Sequence, residues 1–212
     1  ARRAIAGLPV GVMGGGRWHK DNRHVALVVN SARAATDVFV IDTAGGAVTR
    51  WTESELGGLV AANLSEAEPI RLPSFDGLEI TGFLHRPPAK FSGRRPVIID
   101  IHGGPEGQSQ PVFQGRNNYY VNELGVAFIF PNVRGSTGYG KTFVTLDNGP
   151  LRENSVKDIC ALLDWVARQP NLDASRVMIT GGSYGGYMTL ACAVQYNDRI
   201  RCSVDIVGIS NF

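Results

Sequence analysis

Ser183 stands in a pattern of residues that can perform nucleophilic catalysis. Gly181-Gly182-Ser183-Tyr184-Gly185 is a G-x-S-x-G sequence, preceded by the β-branched run Arg176–Thr180 and followed by the apolar stretch Tyr187–Val194. This order predicts a buried strand, a sharp turn and a buried helix. A serine on such a turn needs glycine neighbours, because the strand and the helix pass very close to each other there. The pattern therefore predicts that Ser183 is a nucleophile and that the Tyr184 N–H, at the helix start, donates to an oxyanion.

A second oxyanion donor is predicted in the loop His102-Gly103-Gly104-Pro105, which directly follows the apolar run Val97–Ile101. In folds built around a serine of this kind, the corresponding loop supplies an N–H to the same oxyanion. Pro105 has no N–H, so the donor must be Gly103 or Gly104, and Gly104 is the prediction. The alternative is a Gly-Gly-Pro turn without a catalytic role.

A competing motif lies at Gly135–Thr142, where G-x-x-x-x-G-K-T matches a phosphate-binding P-loop. The run Val97–Asp100 resembles the strand and acid that hold magnesium in nucleotide-binding proteins. A P-loop leads directly into a helix whose N-terminus faces the phosphates, whereas Asp147–Pro150 interrupts the chain soon after this motif. Nucleotide binding is therefore kept only as a disfavoured alternative.

The elements that must position these residues alternate between strands and helices from Glu68 onward. Alternation after an antiparallel opening predicts an α/β fold with a mostly parallel sheet and helices on both faces. Ser155 and Asp158 have the spacing of a capping box at a helix start. The predicted strands are Pro69–Phe75, Leu78–His85, Val97–Ile101, Val126–Phe130, Arg176–Thr180 and Ile200–Val207, and the predicted helices before the serine are Asn118–Leu124 and Ser155–Ala167.

The first part of the chain contains only strand patterns. Residues 1–22 are rich in glycine and predicted to be irregular, and they precede the predicted strands Arg23–Asn30, Asp37–Ile41 and Ala47–Trp51. These residues are too few to close a β domain by themselves. This part is therefore predicted to be the last part of a longer β domain, such as a propeller. With Glu53–Glu66 as the boundary region, the predicted domains are 1–66 and 67–212.

Composition excludes several classes of function. The 212 residues are 43% hydrophobic and 19% charged, with a formal net charge of +2, which is typical of a globular protein and argues against nucleic acid or an anionic membrane as the main partner. No apolar run has the length of a membrane span. The first residue is not Met, so the compartment, cytoplasmic or periplasmic, is left open. Cys160, Cys192 and Cys202 are predicted to be buried free thiols.

The histidines do not complete a catalytic triad. In hydrolases with this serine motif the nucleophile, acid and base follow one another along the chain, yet no histidine follows Ser183. His102 is predicted to brace the oxyanion loop by hydrogen bonding, and Asp205, inside a predicted strand, to be structural. His19 and His24 are predicted to lie at the surface. No group of His, Cys or carboxylate residues has metal-ligand spacing, so no metal or cofactor is predicted.

Four motifs in order resemble the prolyl oligopeptidase family of serine peptidases, and the resemblance spans about residues 68–212. They are HGGPEGQ (102–108), NVRGSTGYGKTF (132–143), LLDWVARQP (162–170) and GGSYGGYM (181–188). The resemblance implies an α/β-hydrolase fold preceded by the last strands of a β-propeller. It also explains the P-loop match, because R-G-S-T-G-Y-G is a family loop beside the active site.

The same resemblance implies a serine peptidase that cleaves short peptides through an acyl-enzyme. His102 stands where prolyl oligopeptidase proper has a tyrosine, which favours the branch of acylaminoacyl peptidases and dipeptidyl aminopeptidases. The family's triad Asp and His have no counterpart before Phe212, so they are expected beyond it and residues 1–212 alone are expected to be inactive. The alternatives are a carboxylesterase on the same fold, a nucleotide-binding protein, and a fragment with only a packing role. Oligomeric state and side-chain preference are left open.

Overall fold

In the computed structural model, which describes residues 4–210, the chain divides into two units. The first comprises Ala1–Ala67 and Pro111–Asn118, and the second comprises Glu68–Gln110 and Tyr119–Phe212. The predicted domains, 1–66 and 67–212, stay a prediction; in the structure Pro111–Asn118 groups with the first unit. The Phe113 N–H donates to Asn30 Oδ1 at 2.7 Å, a contact between residues 83 positions apart. No local pattern reveals a contact over that separation.

The first unit contains an antiparallel sheet whose four strands are neighbours in chain order. They are β1 (Val12–Trp18), β2 (His24–Ser31), β3 (Ala34–Asp42) and β4 (Val48–Arg50). The prediction of irregular structure was wrong for β1. Its three glycines hide the strand pattern in the sequence, but β1 pairs with β2 from Val12↔Asn30 to Trp18↔Val25, with a register shift between Gly14 and Arg17. Membership of these strands in a propeller stays a prediction.

The second unit contains a mixed sheet of six strands in the order β10-β9-β7-β8-β6-β5. They are β5 (Ala67–Pro73), β6 (Glu79–His85), β7 (Arg95–Ile101), β8 (Ala127–Asn132), β9 (Leu172–Gly182) and β10 (Cys202–Ile206). The pairs β7–β8, β7–β9 and β9–β10 are parallel, and β6 is antiparallel to β8. This confirms the predicted α/β fold with an antiparallel opening.

Helices cover both faces of this sheet, as predicted. They are α1 (Asn117–Asn122), α2 (Lys141–Val144), α3 (Arg152–Arg168) and α4 (Tyr184–Gln195). Ile159 of α3 and Met188 of α4 pack with Ile99 and Ile179 in the main core, whereas Val121 of α1 belongs to a smaller cluster on the other face. None of the helices in residues 4–210 combines the length and the apolar character that crossing a bilayer requires.

Two local predictions fail in physically informative ways. Ser155 and Asp158 do not cap α3, because the helix begins earlier, at Arg152, after a 3₁₀ turn at Gly149–Leu151. Ser155 lies within the first turn of α3, where its hydroxyl donates to the Arg152 carbonyl at 2.7 Å. The cysteines are free as predicted, but Cys202 is exposed, because every side chain of the edge strand β10 is exposed.

Asp158 instead forms a buried ion pair with Arg134, which follows β8. The side chains of Asp158 and Arg134 are 0% and 4% exposed, and Arg134 Nη2 lies 2.9 Å from Asp158 Oδ1. The Arg134 backbone N–H also donates to Asp158 Oδ2, at 2.9 Å. The hairpin of β5 and β6 joins the same group, because Ser74 donates to Asp158 and Arg134 donates twice to Asp76. The pair thus fixes the loop after β8 to α3 and to this hairpin.

Replacing Asp158 by Ala is expected to destabilise the protein strongly. The variant leaves the buried Arg134 charge without its most enclosed partner, and breaking a buried pair in this way costs about 3–5 kcal/mol. Asp164→Ala is the matched control on the same helix, since Asp164 is 55% exposed where it pairs with Arg199. The control should lose less than about 1 kcal/mol. Urea unfolding measures both, and equal losses would contradict a structural role for the buried pair.

Candidate active site

Ser183 occupies the junction between β9 and α4 in a strained backbone conformation. Its φ of 57° and ψ of −117° are rare for a residue with a Cβ. The surrounding backbone enforces this geometry, because the Ser183 N–H donates to the Ile206 carbonyl at 3.0 Å and the Ser183 carbonyl accepts from the Tyr187 N–H at 3.1 Å. Ser183 is exposed although Ile179–Gly181 before it and Tyr184–Gly186 after it are buried. The turn therefore presents the serine at the surface, as a nucleophile requires.

The glycines around Ser183 are required by close contact between β9, α4 and the end of β7. A Cβ at Gly185 would collide with the Ile101 carbonyl oxygen, and a Cβ at Gly181 would lie 2.5 Å from the Gly185 oxygen. Gly182 is different, because the nearest atom to a Cβ there is the Ile206 oxygen at an ordinary 3.7 Å. Within the G-x-S-x-G motif, positions 181 and 185 are thus the two at which a Cβ would collide with neighbouring backbone atoms.

The loop after β7 runs beside Ser183, as the sequence predicted. A Cβ built on Gly103 would lie 3.5 Å from the Ser183 Cβ and 3.1 Å from the Gly182 oxygen. Gly104 has a φ of 137°, and a Cβ there would lie 2.5 Å from the Glu106 nitrogen. The loop thus requires glycine at position 104, whereas a Cβ at position 103 would make a tight contact. That Gly104 and Tyr184 donate the oxyanion hydrogen bonds stays a prediction.

His102 braces this loop. Its Nδ1 lies 2.8 Å from the Gly103 carbonyl oxygen, to which it donates, and its Nε2 lies 2.8 Å from Ser136 Oγ. Burial lowers the pKa of His102, which favours the neutral ring. Both ring nitrogens are therefore engaged away from Ser183. Within residues 4–210 no imidazole hydrogen-bonds to the Ser183 hydroxyl, and the predicted base and acid beyond Phe212 stay a prediction.

In the glycine-rich loop that resembles a P-loop, three backbone N–H groups that phosphate would need already donate to carbonyl groups of the protein. The N–H groups of Gly135, Ser136 and Thr137 donate to the carbonyls of Phe143, Val133 and Gly107, respectively. The Asp147 carboxylate fills the space beside Gly135, where a Cβ would lie 2.5 Å from its Cγ. The helix that follows, α2, has only four residues. Engaged donors, a nearby anion and so short a helix do not form a phosphate cradle.

The hydroxyl of Tyr184 is held by two polar side chains, which the sequence did not indicate. Its side chain is fully buried, and its hydroxyl lies 2.7 Å from Ser155 Oγ and 3.0 Å from Asp147 Oδ2. Arg152 Nη1 pairs with the same Asp147 oxygen at 2.7 Å. Burial raises the pKa of both Tyr184 and Asp147. These contacts fix the residue whose N–H is the predicted donor, yet the sequence marked Asp147 only as part of a helix-breaking run.

Gly185→Ala is expected to lose about 3 kcal/mol of stability, the upper part of the range for overpacking, because the backbone carbonyl of Ile101 cannot rotate away. Gly182→Ala is the matched control three residues earlier and should lose less than about 1 kcal/mol, since its Cβ meets only ordinary contacts. Thermal or urea unfolding compares the two variants. If Gly185→Ala were as stable as the control, the close approach of α4 to β7 would not be the constraint inferred here.

Comparison with known proteins agrees with this geometry. The sequence model described as "Prolyl oligopeptidase family" matches residues 111–212. The dipeptidyl aminopeptidase BIII of Pseudoxanthomonas mexicana is 29% identical over 198 residues, which are 90% of this chain and 28% of that protein. The chain therefore spans less than a third of the length of this relative.

Solved structures extend the match beyond the family's sequence model. The acylaminoacyl peptidase of Pyrococcus horikoshii is 27% identical with a TM-score of 0.77, over 93% of this chain and 31% of that one. An acylaminoacyl peptidase in complex with Z-Gly-Gly-Phe-chloromethyl ketone is 28% identical with a TM-score of 0.76, over 92% and 31% of the two chains. The resemblance predicted from four motifs is thereby confirmed: residues 111–212 match the sequence model of the prolyl oligopeptidase family, and the matched structures cover the chain more widely.

Proposed function

We propose that this protein is a serine-type peptidase that hydrolyses short peptides through an acyl-enzyme on Ser183. The observation that carries the proposal is the exposed serine at a strained strand–helix junction, with the Gly103-Gly104 loop beside it. Such a junction has no evident structural use, because the strain costs stability that a relaxed turn would retain. A preorganised nucleophile explains why the strain is kept.

In the proposed reaction the Ser183 oxygen attacks the carbonyl carbon of the scissile amide. The carbonyl oxygen becomes an oxyanion, which accepts hydrogen bonds from the N–H groups of Gly104 and Tyr184. The C–N bond then breaks, the amine leaves with a proton, and water hydrolyses the resulting ester to restore the serine. Losing one oxyanion donor typically costs about 3 kcal/mol of transition-state stabilisation.

The serine proton must pass to a general base during the attack, and this step typically contributes about 10²–10⁴-fold to the rate. His102 is unsuited to that role, because Gly103 and Ser136 engage its two nitrogens. We therefore retain the prediction that the base and its acid partner follow Phe212. Activity is accordingly proposed for the protein made from its full reading frame.

Peptides are favoured over carboxyl esters as substrates by what a matched structure binds. The acylaminoacyl peptidase that is 28% identical was solved with Z-Gly-Gly-Phe-chloromethyl ketone, a peptide-derived compound. The match to the dipeptidyl aminopeptidase points to the same class of substrate. A carboxylesterase has no comparable support, and the engaged N–H groups of residues 135–137 weigh against nucleotide binding.

The test combines active-site labelling with two substrates that share one acyl group. A fluorophosphonate should label Ser183 in the full-length protein, Ser183→Ala should abolish the label, and Ser203→Ala, at an exposed serine on β10, should retain it. The unlabelled enzyme should hydrolyse both a peptidyl amide and the matching ester, and Ser183→Ala should hydrolyse neither. Labelling of another residue would overturn the assignment of Ser183, and hydrolysis of the ester alone would favour the esterase.

A further inference from the structure

The turn between β1 and β2 brings the side chains of His19, Asp21 and His24 together. One ligand atom from each lies within 4.8 Å of the other two, the one group of this kind in residues 4–210. Asp21 Oδ2 lies 3.0 Å from His19 Nδ1 and 2.7 Å from His24 Nδ1. No metal-ligand spacing was predicted here from the sequence, because the turn, rather than a helix or strand period, sets these positions.

The backbone of the turn holds the carboxylate in place. Asp21 Oδ1 accepts the N–H of Arg23 at 2.9 Å and that of His24 at 3.0 Å. The His19 N–H donates to the His24 carbonyl at 2.8 Å, and Asn22 adopts the left-handed conformation that such a turn needs, with φ of 56°. One carboxylate oxygen is thus committed to the backbone, which leaves Oδ2 facing both imidazoles.

Two imidazole nitrogens and one carboxylate oxygen are a donor set for zinc-class cations. Zinc lies about 2.0–2.2 Å from such donors, which separates tetrahedral ligand atoms by about 3.3 Å. Asp21 Oδ2 lies 3.0 Å and 2.7 Å from the two nitrogens, so the groups must move apart by about 0.3 Å and 0.6 Å to reach that value. The side chains of His19, Asp21 and His24 are 58%, 38% and 39% exposed, so they have room to adjust.

The surroundings leave space for the remaining ligands of a cation. Both histidines line a cavity of about 360 Å³ that Trp18 and Trp51 also line, so water can reach positions that the protein leaves open. The Arg23 guanidinium, on the same turn, is paired with Asp42 at 2.6 Å, which offsets the repulsion of that residue toward a cation. Imidazole donors favour Zn²⁺, Co²⁺, Ni²⁺ or Cu²⁺ over the oxygen-seeking Mg²⁺ and Ca²⁺.

We propose that His19, Asp21 and His24 form a binding site for one divalent transition-metal cation of the zinc class, with water completing its coordination. The site lies in the first unit and is independent of the proposed reaction at Ser183. Its test therefore needs no substrate and no assay of activity.

The test titrates zinc into the full-length protein after removal of metals with EDTA, using calorimetry. Asp21→Asn keeps an oxygen for the backbone N–H groups but loses the charge, and it should weaken zinc binding at least tenfold, as should His19→Gln and His24→Gln. Asp173→Asn is the matched control, because Asp173 also accepts a backbone N–H two residues ahead, at 3.0 Å from Ser175. The control should bind zinc like the wild type, and magnesium should not bind at this site.

A second measurement on the unaltered protein separates this site from zinc bound by cysteines. Zinc should shift the imidazole NMR signals of His19 and His24 and leave those of the buried His85 and the braced His102 unchanged. Unchanged signals for His19 and His24 would overturn the proposal. Equal zinc affinity in the wild type and in both histidine variants would overturn it as well.

Discussion

The close approach of α4 to the end of β7 is the steric constraint on which the site depends. The Ile101 carbonyl oxygen occupies the space that a Cβ of residue 185 would need, so only glycine allows the helix to start there. The same approach places the loop that leaves β7 beside Ser183, since a Cβ built on Gly103 would lie 3.1 Å from the Gly182 oxygen and 3.5 Å from the Ser183 Cβ. A single approach between backbone segments therefore produces both the exposed serine and its neighbouring loop.

Buried polar groups then fix the loops around this junction. Asp147 joins Arg152 to the Tyr184 hydroxyl, and its carboxylate also fills the space beside Gly135. Asp158 similarly ties the backbone of Arg134 to α3. Buried ion pairs of this kind add little net stability because desolvation offsets their attraction, but removing one partner is costly. Their consequence here is that the loop after β8 and the helix start have one relative arrangement.

His102 extends this arrangement to the loop after β7. Through Ser136 it connects that loop to the glycine-rich segment, and the Thr137 N–H donates to Gly107 across the same gap. The two loops thus support each other, which explains how a glycine-rich sequence can hold a defined conformation. It also explains the misleading P-loop match, because the glycines serve tight turns and close contacts in place of phosphate.

The sequence predicted what local patterns and sterics determine. The G-x-S-x-G turn, the strands around it and the mixed α/β sheet follow from hydrophobic runs and glycine spacing, so they agree with the structure. The predictions fail where contacts with residues distant in sequence determine the local structure. Asp158 has the spacing of a helix cap but forms an ion pair with Arg134. Val12–Trp18 forms a strand by pairing with β2 despite its glycines.

Contacts that the chain makes only after folding account for the other omissions. Pro111–Asn118 joins the first unit through a partner 83 residues away, and Asp147 reaches Tyr184 across 37 residues. The histidines of the β1–β2 turn are close in sequence, but their convergence on Asp21 depends on a turn geometry that periodicity does not encode. Specific side-chain partners of this kind become visible only in three dimensions.

The most direct test of a nucleophilic Ser183 with backbone oxyanion donors is a crystal structure of the full-length protein with a peptidyl boronic acid. Boron should be bonded to Ser183 Oγ, because the adduct mimics the tetrahedral intermediate. One boronate oxygen should lie about 2.7–3.1 Å from the backbone nitrogens of both Gly104 and Tyr184. Boron bonded to another residue, or a boronate oxygen that faces neither nitrogen, would contradict the proposed site.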